Sequence, residues 1–184
     1  KKYEYVMLFH DDDILQPKAL TKMMQALESN PSATTVSCNA LIIKNSEHTD
    51  ILSSPNIKIN IEVKTQTELI NRYIIRRLSH TPFPSYIYRT KFLEKIQLDS
   101  ADGGKYSDVS FLTKLIKNGP FIWLAEPLMK YRQHSSNDSA NLNMKDISTL
   151  SLFFFRTSPK MIFKIIFYYS KQLVKKIYYF LINK

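Results

Sequence analysis

Short apolar runs of strand length alternate with amphipathic segments of helical length along the chain, and this alternation restricts the possible folds more than any other feature. Predicted strands cover residues 3–9, 33–44, 85–88, 121–124 and 128–131, and predicted helices follow Pro17 and cover residues 66–78, 90–96 and 107–117. Such alternation is typical of α/β domains. We therefore expect an α/β domain with a mostly parallel sheet flanked by helices, and an irregular polar stretch at residues 45–64.

Composition excludes several classes of protein. The 184 residues are enough for one domain with its own core, and a hydrophobic content of 44% is too high for a disordered chain. The single cysteine, Cys38, cannot form an internal disulfide and offers no thiolate cluster. Disulfide-stabilised secreted scaffolds and cysteine-based zinc fingers are therefore excluded.

The net charge of +10 is unevenly distributed along the chain. Residues 151–184 carry seven Lys or Arg, no acidic residue and 10 of the 23 aromatic side chains, whereas residues 1–150 carry 19 basic and 16 acidic residues. We therefore divide the chain into a nearly neutral domain at 1–150 and a basic aromatic tail at 151–184. A nucleic-acid-binding module is not expected, because the nearly neutral part contains no recognisable binding motif.

Three consecutive carboxylates, Asp11, Asp12 and Asp13, follow the first predicted strand. In open α/β sheets, ligands bind beyond the carboxyl ends of strands, and clustered carboxylates repel one another unless a cation lies between them. Mg²⁺ and Mn²⁺ prefer such oxygen ligands and usually share them with substrate phosphates. The alternative is a solvated turn in which Asp13 only caps the following helix.

Three patterns then occur in order along the chain. They are the carboxylates followed by an apolar pair and a Pro in residues 5–20, a helix start with Asp108 in residues 104–112, and Tyr-Arg-Gln-His followed by Asn-Asp-Ser in residues 126–139. Together they resemble the family 2 glycosyltransferases, nucleotide-sugar-dependent enzymes of the A-type fold. The resemblance has two departures, because His10 stands where the family's first Asp is usual and Ser107 where its Glu is usual.

The resemblance implies roles for six residues. Asp12 and His134 would bind a divalent metal ion, Mg²⁺ or Mn²⁺, which neutralises charge on the diphosphate leaving group. Asp108 would be the catalytic base that accepts the proton of the acceptor hydroxyl. The remaining three would contact the substrate: Asp11, Tyr131 and Arg132.

The same resemblance implies partners and a location. The expected donor is a nucleotide-diphosphate sugar, with a UDP-sugar first, and the acceptor is a glycan or a lipid-linked hydroxyl in surface polysaccharide or glycolipid synthesis. Transfer would invert the anomeric configuration. The family's first, nucleotide-binding strands would precede residue 1, so we expect an A-type fold that is incomplete at its N-terminus. The protein would be cytoplasmic and peripheral at the inner face of the cell membrane.

Two alternatives remain open at the level of the sequence. Asp11 and Asp13 have the Asp-x-Asp spacing of haloacid-dehalogenase-type phosphatases, although Leu15 stands where that family has Thr or Val. The other alternative is a truncated, inactive relative of the transferases, or a basic module that only binds membranes. Hydrolysis of an aryl phosphate, as opposed to release of a nucleotide from a nucleotide sugar, would separate the two enzyme classes.

The basic tail has the pattern of a helix that lies at a membrane surface. No stretch reaches the roughly 20 apolar residues that span a bilayer, because lysines interrupt the sequence. On a helix, Lys160, Lys164, Lys171 and Lys175 fall within an arc of about 60°, and most aromatic and aliphatic side chains lie outside that arc. We interpret this pattern as lysines facing an anionic membrane surface. The alternative is a helix packed on the domain with a solvated lysine face.

Overall fold

The computed structural model describes residues 3–44, 46–75, 78–133 and 143–182. Its strands in this part of the chain are β1 (Tyr5–Met7), β2 (Ile14–Leu15), β3 (Thr35–Lys44), β4 (Glu47–Leu52), β5 (Ile61–Val63), β6 (Ile87–Arg89) and β7 (Phe121–Gln133). Its α-helices are α1 (Ala19–Glu28), α2 (Gln66–Ile74), α3 (Ser107–Leu115), α4 (Met144–Thr157) and α5 (Ile162–Ile182). Short 3₁₀ turns occupy much of the chain between β6 and α3.

The two longest strands, β3 and β7, form the centre of the sheet. They pair in parallel from Thr35 opposite Phe121 to Lys44 opposite Gln133. β4 and β6 pair antiparallel with β3, β2 and β5 pair antiparallel with β7, and β1 pairs antiparallel with β6. Since β6 is antiparallel to both of its neighbours, β1, β3 and β7 all run in the same direction. Their carboxyl ends therefore point toward the same edge of the sheet.

The α/β class is confirmed, but the expectation of a mostly parallel sheet is wrong, because the sheet is mixed and curled. Among the described residues, the β3–β7 pair is parallel and every other strand pair is antiparallel. The prediction assumed that a helix connects each strand to the next. β4 instead folds back directly on β3, with Lys44 opposite Glu47. The segment that contains Pro82 and Pro84 leads the chain into β6 in the reverse direction.

The two strands predicted at 121–124 and 128–131 form one continuous strand, β7. Its register with β3 shifts between Cys38 and Ala40, which leaves two residues of β7 without partners just before Pro127. Proline is tolerated there because a bulge removes backbone groups from the ladder of hydrogen bonds. The bulge allows β7 to continue beyond the proline and to reach the sheet edge at which β1 ends.

Buried apolar clusters join the helices to both faces of the sheet. α1 contributes Met23 and Leu27, both completely buried. A second cluster surrounds Trp123 of β7. A third joins α2, α3, α4 and α5. Ile147 and Phe154 of α4 are both fully buried, so α4 spans the proposed boundary between residues 150 and 151.

The long C-terminal helix α5 packs against α4 and α2 through its first half. Met161, just before the helix, and Ile165 of α5 are buried in the third cluster. None of the helices that the structure describes combines the length with the continuous apolar character that crossing a bilayer requires. In α5, Lys164 and Lys171 are among the lysines that interrupt the apolar sequence.

Candidate functional site

Three segments that are distant in sequence line one cavity of about 1120 Å³. Because β1 and β7 run in the same direction, the segments that follow or end these strands meet at one edge of the sheet, and the first turn of α3 lies beside them. The residues of these segments that line the cavity include His10, Asp12, Ser107, Asp108, Tyr131 and Arg132. Four of the residues that the sequence predicted for the site are thus brought together.

The rest of the cavity wall is largely apolar and aromatic. It comes from the loop after β4, from α2 and from the Pro-containing segment before β6. Its members include Pro55, Leu69, Tyr73, Pro82, Phe83 and Leu112. A cavity with a few convergent polar groups at one end and apolar walls elsewhere is the usual form of a small-molecule site.

Asp13 fixes the acidic segment, Asp11 to Asp13, to the end of β7. Its side chain is fully buried, and its Oδ1 accepts a hydrogen bond of 2.8 Å from the backbone N–H of Arg132. In return, Nε of Arg132 donates to the backbone carbonyl of Asp12 over 2.9 Å. The next two residues form β2, which pairs with β7. The acidic segment is therefore held in a defined position by the strand that carries Tyr131.

The alternative in which Asp13 only caps the following helix is wrong. α1 begins at Ala19, after Lys18 in a left-handed conformation, and no side chain caps its first turn. The Asp13 carboxyl instead binds the backbone of Arg132. Asp13 therefore belongs to the candidate metal-ligand group with His10 and Asp12, although it is not among the residues that line the cavity. The sequence predicted Asp12 as a metal ligand without Asp13. Asp13 comes directly before the apolar pair of β2, and this position could have indicated from the sequence that the third carboxylate is buried.

His10, Asp12 and Asp13 form a group that fits a divalent cation. One ligand atom from each side chain lies within 4.8 Å of the other two. Oδ2 of Asp13 is buried, no hydrogen-bond donor among the described residues satisfies it, and Nδ1 of His10 lies 3.8 Å away. A buried carboxylate oxygen in this state is stabilised either by protonation or by a positive charge nearby. Two carboxylates and an imidazole are a donor set that suits Mg²⁺ or Mn²⁺.

The charges in this group influence one another. Burial raises the pKa of the Asp13 carboxyl, the hydrogen bond from the Arg132 backbone lowers it, and the charge of Asp12 raises it again. The net direction is upward, as expected where carboxylates are crowded together. A cation between them would remove this cost.

Asp108 is a carboxylate without a second carboxylate beside it in the sequence. It lies in the first turn of α3 and is partly buried. Burial raises the pKa of Asp108, while hydrogen bonds from the backbone N–H groups of Val109 and of Asp108 itself lower it, as does the charge of His10. The net direction is again upward. A carboxylate with a raised pKa that lines a cavity is suited to accept a proton.

A glycine fixes the approach of the chain to α3. Gly104 has φ +59°, in the left-handed region, and a side chain at this position would lie 2.1 Å from the carboxylate of Asp146 on α4. Only glycine allows this conformation and this contact together. A serine before an apolar helical run is a common N-cap, but Ser107 is the first residue of α3 itself, and no side chain caps this helix.

Tyr131 lies between the two acidic regions. Burial raises the pKa of its hydroxyl, and the charges of Asp13, Asp108 and Asp12 raise it further. Its hydroxyl therefore stays protonated at neutral pH and can donate a hydrogen bond to a bound ligand. This property fits the substrate contact that the sequence predicts for Tyr131.

The remaining predicted residues lie elsewhere. Asp11 is exposed and is not among the residues that line the cavity, whereas Asp13 is buried, so the phosphatase-like pair Asp11 and Asp13 does not share one environment. His134 lies outside the described residues. Glu126, which precedes the Tyr-Arg-Gln-His pattern in sequence, forms an ion pair with Lys22.

Comparison with known proteins adds no assignment. The chain matches no protein-family model, and no curated protein matches it significantly. The proposed function of the protein therefore depends on the residues and geometry of the cavity together with the sequence resemblance.

Proposed function

We propose that this chain is a glycosyltransferase of the A-type fold, which transfers a sugar from a nucleotide-diphosphate sugar to an acceptor hydroxyl with inversion. The observation that carries the proposal is the meeting of the acidic segment, the first turn of α3 and the end of β7 at one cavity of about 1120 Å³. These are the three segments whose sequences resemble the family. A cavity of this size accommodates a nucleotide sugar with its acceptor group.

The acidic segment would hold a divalent metal ion through His10, Asp12 and Asp13. When bound, Mg²⁺ or Mn²⁺ supplies positive charge against the diphosphate. The chain's own contribution is to hold these ligands at the end of β7, through the hydrogen bond between Asp13 and the backbone of Arg132. Tyr131 would donate a hydrogen bond to the donor substrate, and Arg132 would add positive charge beside its phosphates.

Asp108 would be the catalytic base. A carboxylate oxygen of Asp108 accepts the proton of the acceptor hydroxyl while the hydroxyl oxygen forms a bond to the anomeric carbon. The bond between that carbon and the diphosphate oxygen breaks, and the nucleoside diphosphate leaves with the electron pair. One displacement of this kind inverts the configuration of the anomeric carbon. The acceptor would be a glycan or lipid-linked hydroxyl.

The test is Asp108→Asn, assayed by nucleotide release and product formation with a panel of nucleotide-diphosphate sugars and Mn²⁺, starting with UDP-sugars. We expect turnover to fall by about 10²- to 10⁴-fold, since that is the contribution of a general base, and donor binding measured by calorimetry to persist. The matched control is Asp50→Asn, which alters an exposed carboxylate of β4 outside the cavity.

Three outcomes would contradict the proposal. Near-normal turnover of Asp108→Asn would remove Asp108 from the role of base. An equal loss in Asp50→Asn would show that the assay responds to charge in general. Hydrolysis of an aryl phosphate, without release of nucleotide from any donor, would favour the phosphatase class instead.

A further inference from the structure

Helix α5 has two opposite faces that differ in burial. The face toward the domain contains Ile165, Tyr168 and Gln172, which are buried or partly buried, one turn apart from each other. Tyr168 contacts the ring of Tyr73, with centroids 6.3 Å apart. Tyr73 also lines the cavity. This face therefore attaches α5 to the outside of the cavity wall.

The opposite face of α5 is apolar and exposed. At about 100° per residue its members lie within an arc of about 100°, centred opposite the stripe that packs on the domain. Among the described side chains they are Phe163 (84% exposed), Ile166 (54%), Phe167 (72%), Val174 (65%), Ile177 (50%) and Leu181 (65%). We call this set the apolar face of α5. Soluble surfaces rarely leave a contiguous apolar patch of this length uncovered.

A row of lysines runs beside the apolar face. Lys164, Lys171 and Lys175 are exposed and fall within an arc of about 40° along one flank of the helix. Lys160 is exposed in the turn just before α5. From residue 151 to residue 184 the chain contains seven basic residues and no acidic one. The surface around the apolar face thus has one sign of charge, and its partner must be apolar in the centre and negative at the edge.

We propose that α5 docks on an anionic lipid bilayer, with its apolar face in the interfacial region and the lysine row against the headgroups. An interfacial helix has this combination of an apolar side and a basic flank. A second copy of the chain fits less well, because α5 has no acidic side chain that could pair with the lysines of the other copy. The same charge argument disfavours a basic protein partner.

Docking in this orientation determines where the cavity lies. The stripe of α5 that contacts Tyr73 is opposite the apolar face, so one helix separates the cavity wall from the lipid surface. A helix with its side chains is about 10 Å across. A substrate anchored in the bilayer would therefore lie close to the cavity, which agrees with a lipid-linked acceptor but does not require one.

The test is co-sedimentation with phosphatidylcholine vesicles with or without phosphatidylglycerol. Wild-type protein binds the vesicles that contain phosphatidylglycerol and binds pure phosphatidylcholine more weakly. Phe163→Ser/Phe167→Ser lowers binding to the anionic vesicles by at least about tenfold, because two exposed aromatic side chains no longer enter the interface. The matched control, Ile51→Ser/Ile59→Ser, alters apolar side chains that are also exposed (59% and 73%) but lie away from α5, and it binds like wild type.

A second pair of variants tests the charges. Lys160→Gln/Lys171→Gln weakens binding to the anionic vesicles by about tenfold and leaves binding to phosphatidylcholine unchanged. Lys58→Gln/Lys95→Gln, which removes the same charge from exposed positions outside α5, binds like wild type. All substituted side chains are exposed, so circular dichroism should give the same melting temperature for every variant.

Several results would overturn the proposal. The first is a wild-type protein that does not bind phosphatidylglycerol vesicles, and the second is equal vesicle binding by the α5 variants and their controls. The third is a wild-type dimer that Phe163→Ser/Phe167→Ser converts to monomer without a change in vesicle binding. Vesicle binding needs no nucleotide sugar. Its failure would therefore leave the proposed transferase activity untouched, and loss of transfer would leave the docking surface untouched.

Discussion

The two acidic regions of the cavity hold their carboxylates in different ways. After β1, Asp12 and Asp13 are close together and close to His10, and Asp13 is fixed by the backbone of Arg132. In α3, Asp108 accepts hydrogen bonds from the backbone N–H groups of Val109 and of Asp108 itself. Asp12 and Asp13 lie close enough to His10 for one cation to bind all three side chains, whereas Asp108 has no second carboxylate beside it in the sequence. The difference separates a place for a metal ion from a place for a base within one cavity.

The pH dependence of turnover gives the largest expected effect. The pKa of Asp108 is raised, and a base acts only in its deprotonated form. As the pH falls through that raised pKa, kcat/KM should fall about tenfold for each pH unit. The apparent pKa of the acid limb of the kcat/KM profile should lie above the usual pKa of an aspartate, which is near 4. A kcat/KM profile that stays flat down to pH 4 would contradict the assignment of Asp108.

A pair of substitutions at Asp13 separates its charge from its hydrogen bond. Asp13→Asn keeps an oxygen that can accept from the N–H of Arg132, while Asp13→Ala leaves this buried N–H without a partner. We expect Asp13→Ala to lower the free energy of unfolding by about 1–3 kcal/mol relative to Asp13→Asn, measured by urea denaturation. Equal stabilities would show that the bond does not hold the acidic segment in place.

The stability of Asp108→Asn gives a smaller effect of opposite sign. Because the folded state raises the pKa of Asp108, the contribution of this group to stability is complete below the unfolded pKa and is lost as the pH rises through the folded pKa. Asparagine avoids this loss. We expect Asp108→Asn to be more stable than wild type at pH 7 by of the order of 1 kcal/mol, and the gain to disappear below about pH 4. A destabilised variant at pH 7 would indicate a mainly structural role.

Much of the α/β fold could be predicted from the sequence, because β3, α1 and α3 have clear apolar patterns. The direction of the strands could not, since Ile87–Arg89 has the same apolar character whether it pairs in parallel or antiparallel. β4 escaped prediction because its side chains are mostly polar or exposed, and β5 because it is only three residues long.

The site was predictable as a set of segments but not residue by residue. Three adjacent aspartates in the sequence look equivalent, and only the pairing of β2 with β7 decides that Asp13 turns inward while Asp11 stays exposed. The prediction that the tail is helical is confirmed. The sequence could not show which side chains of the tail are buried, because Phe154 and Phe163 both lie in stretches rich in apolar and aromatic residues. Only packing places Phe154 in the core and Phe163 on the surface.

The most direct test of the division between the two acidic regions is a calorimetric titration of Mn²⁺ into four proteins: the wild type, Asp13→Asn, Asp108→Asn and Asp11→Asn. We expect Asp13→Asn to weaken Mn²⁺ binding by at least about tenfold, because it removes a charge from the proposed ligand group. Asp108→Asn and the exposed neighbour Asp11→Asn should bind like the wild type. Unchanged binding by Asp13→Asn, or an equal loss in Asp108→Asn, would contradict this division.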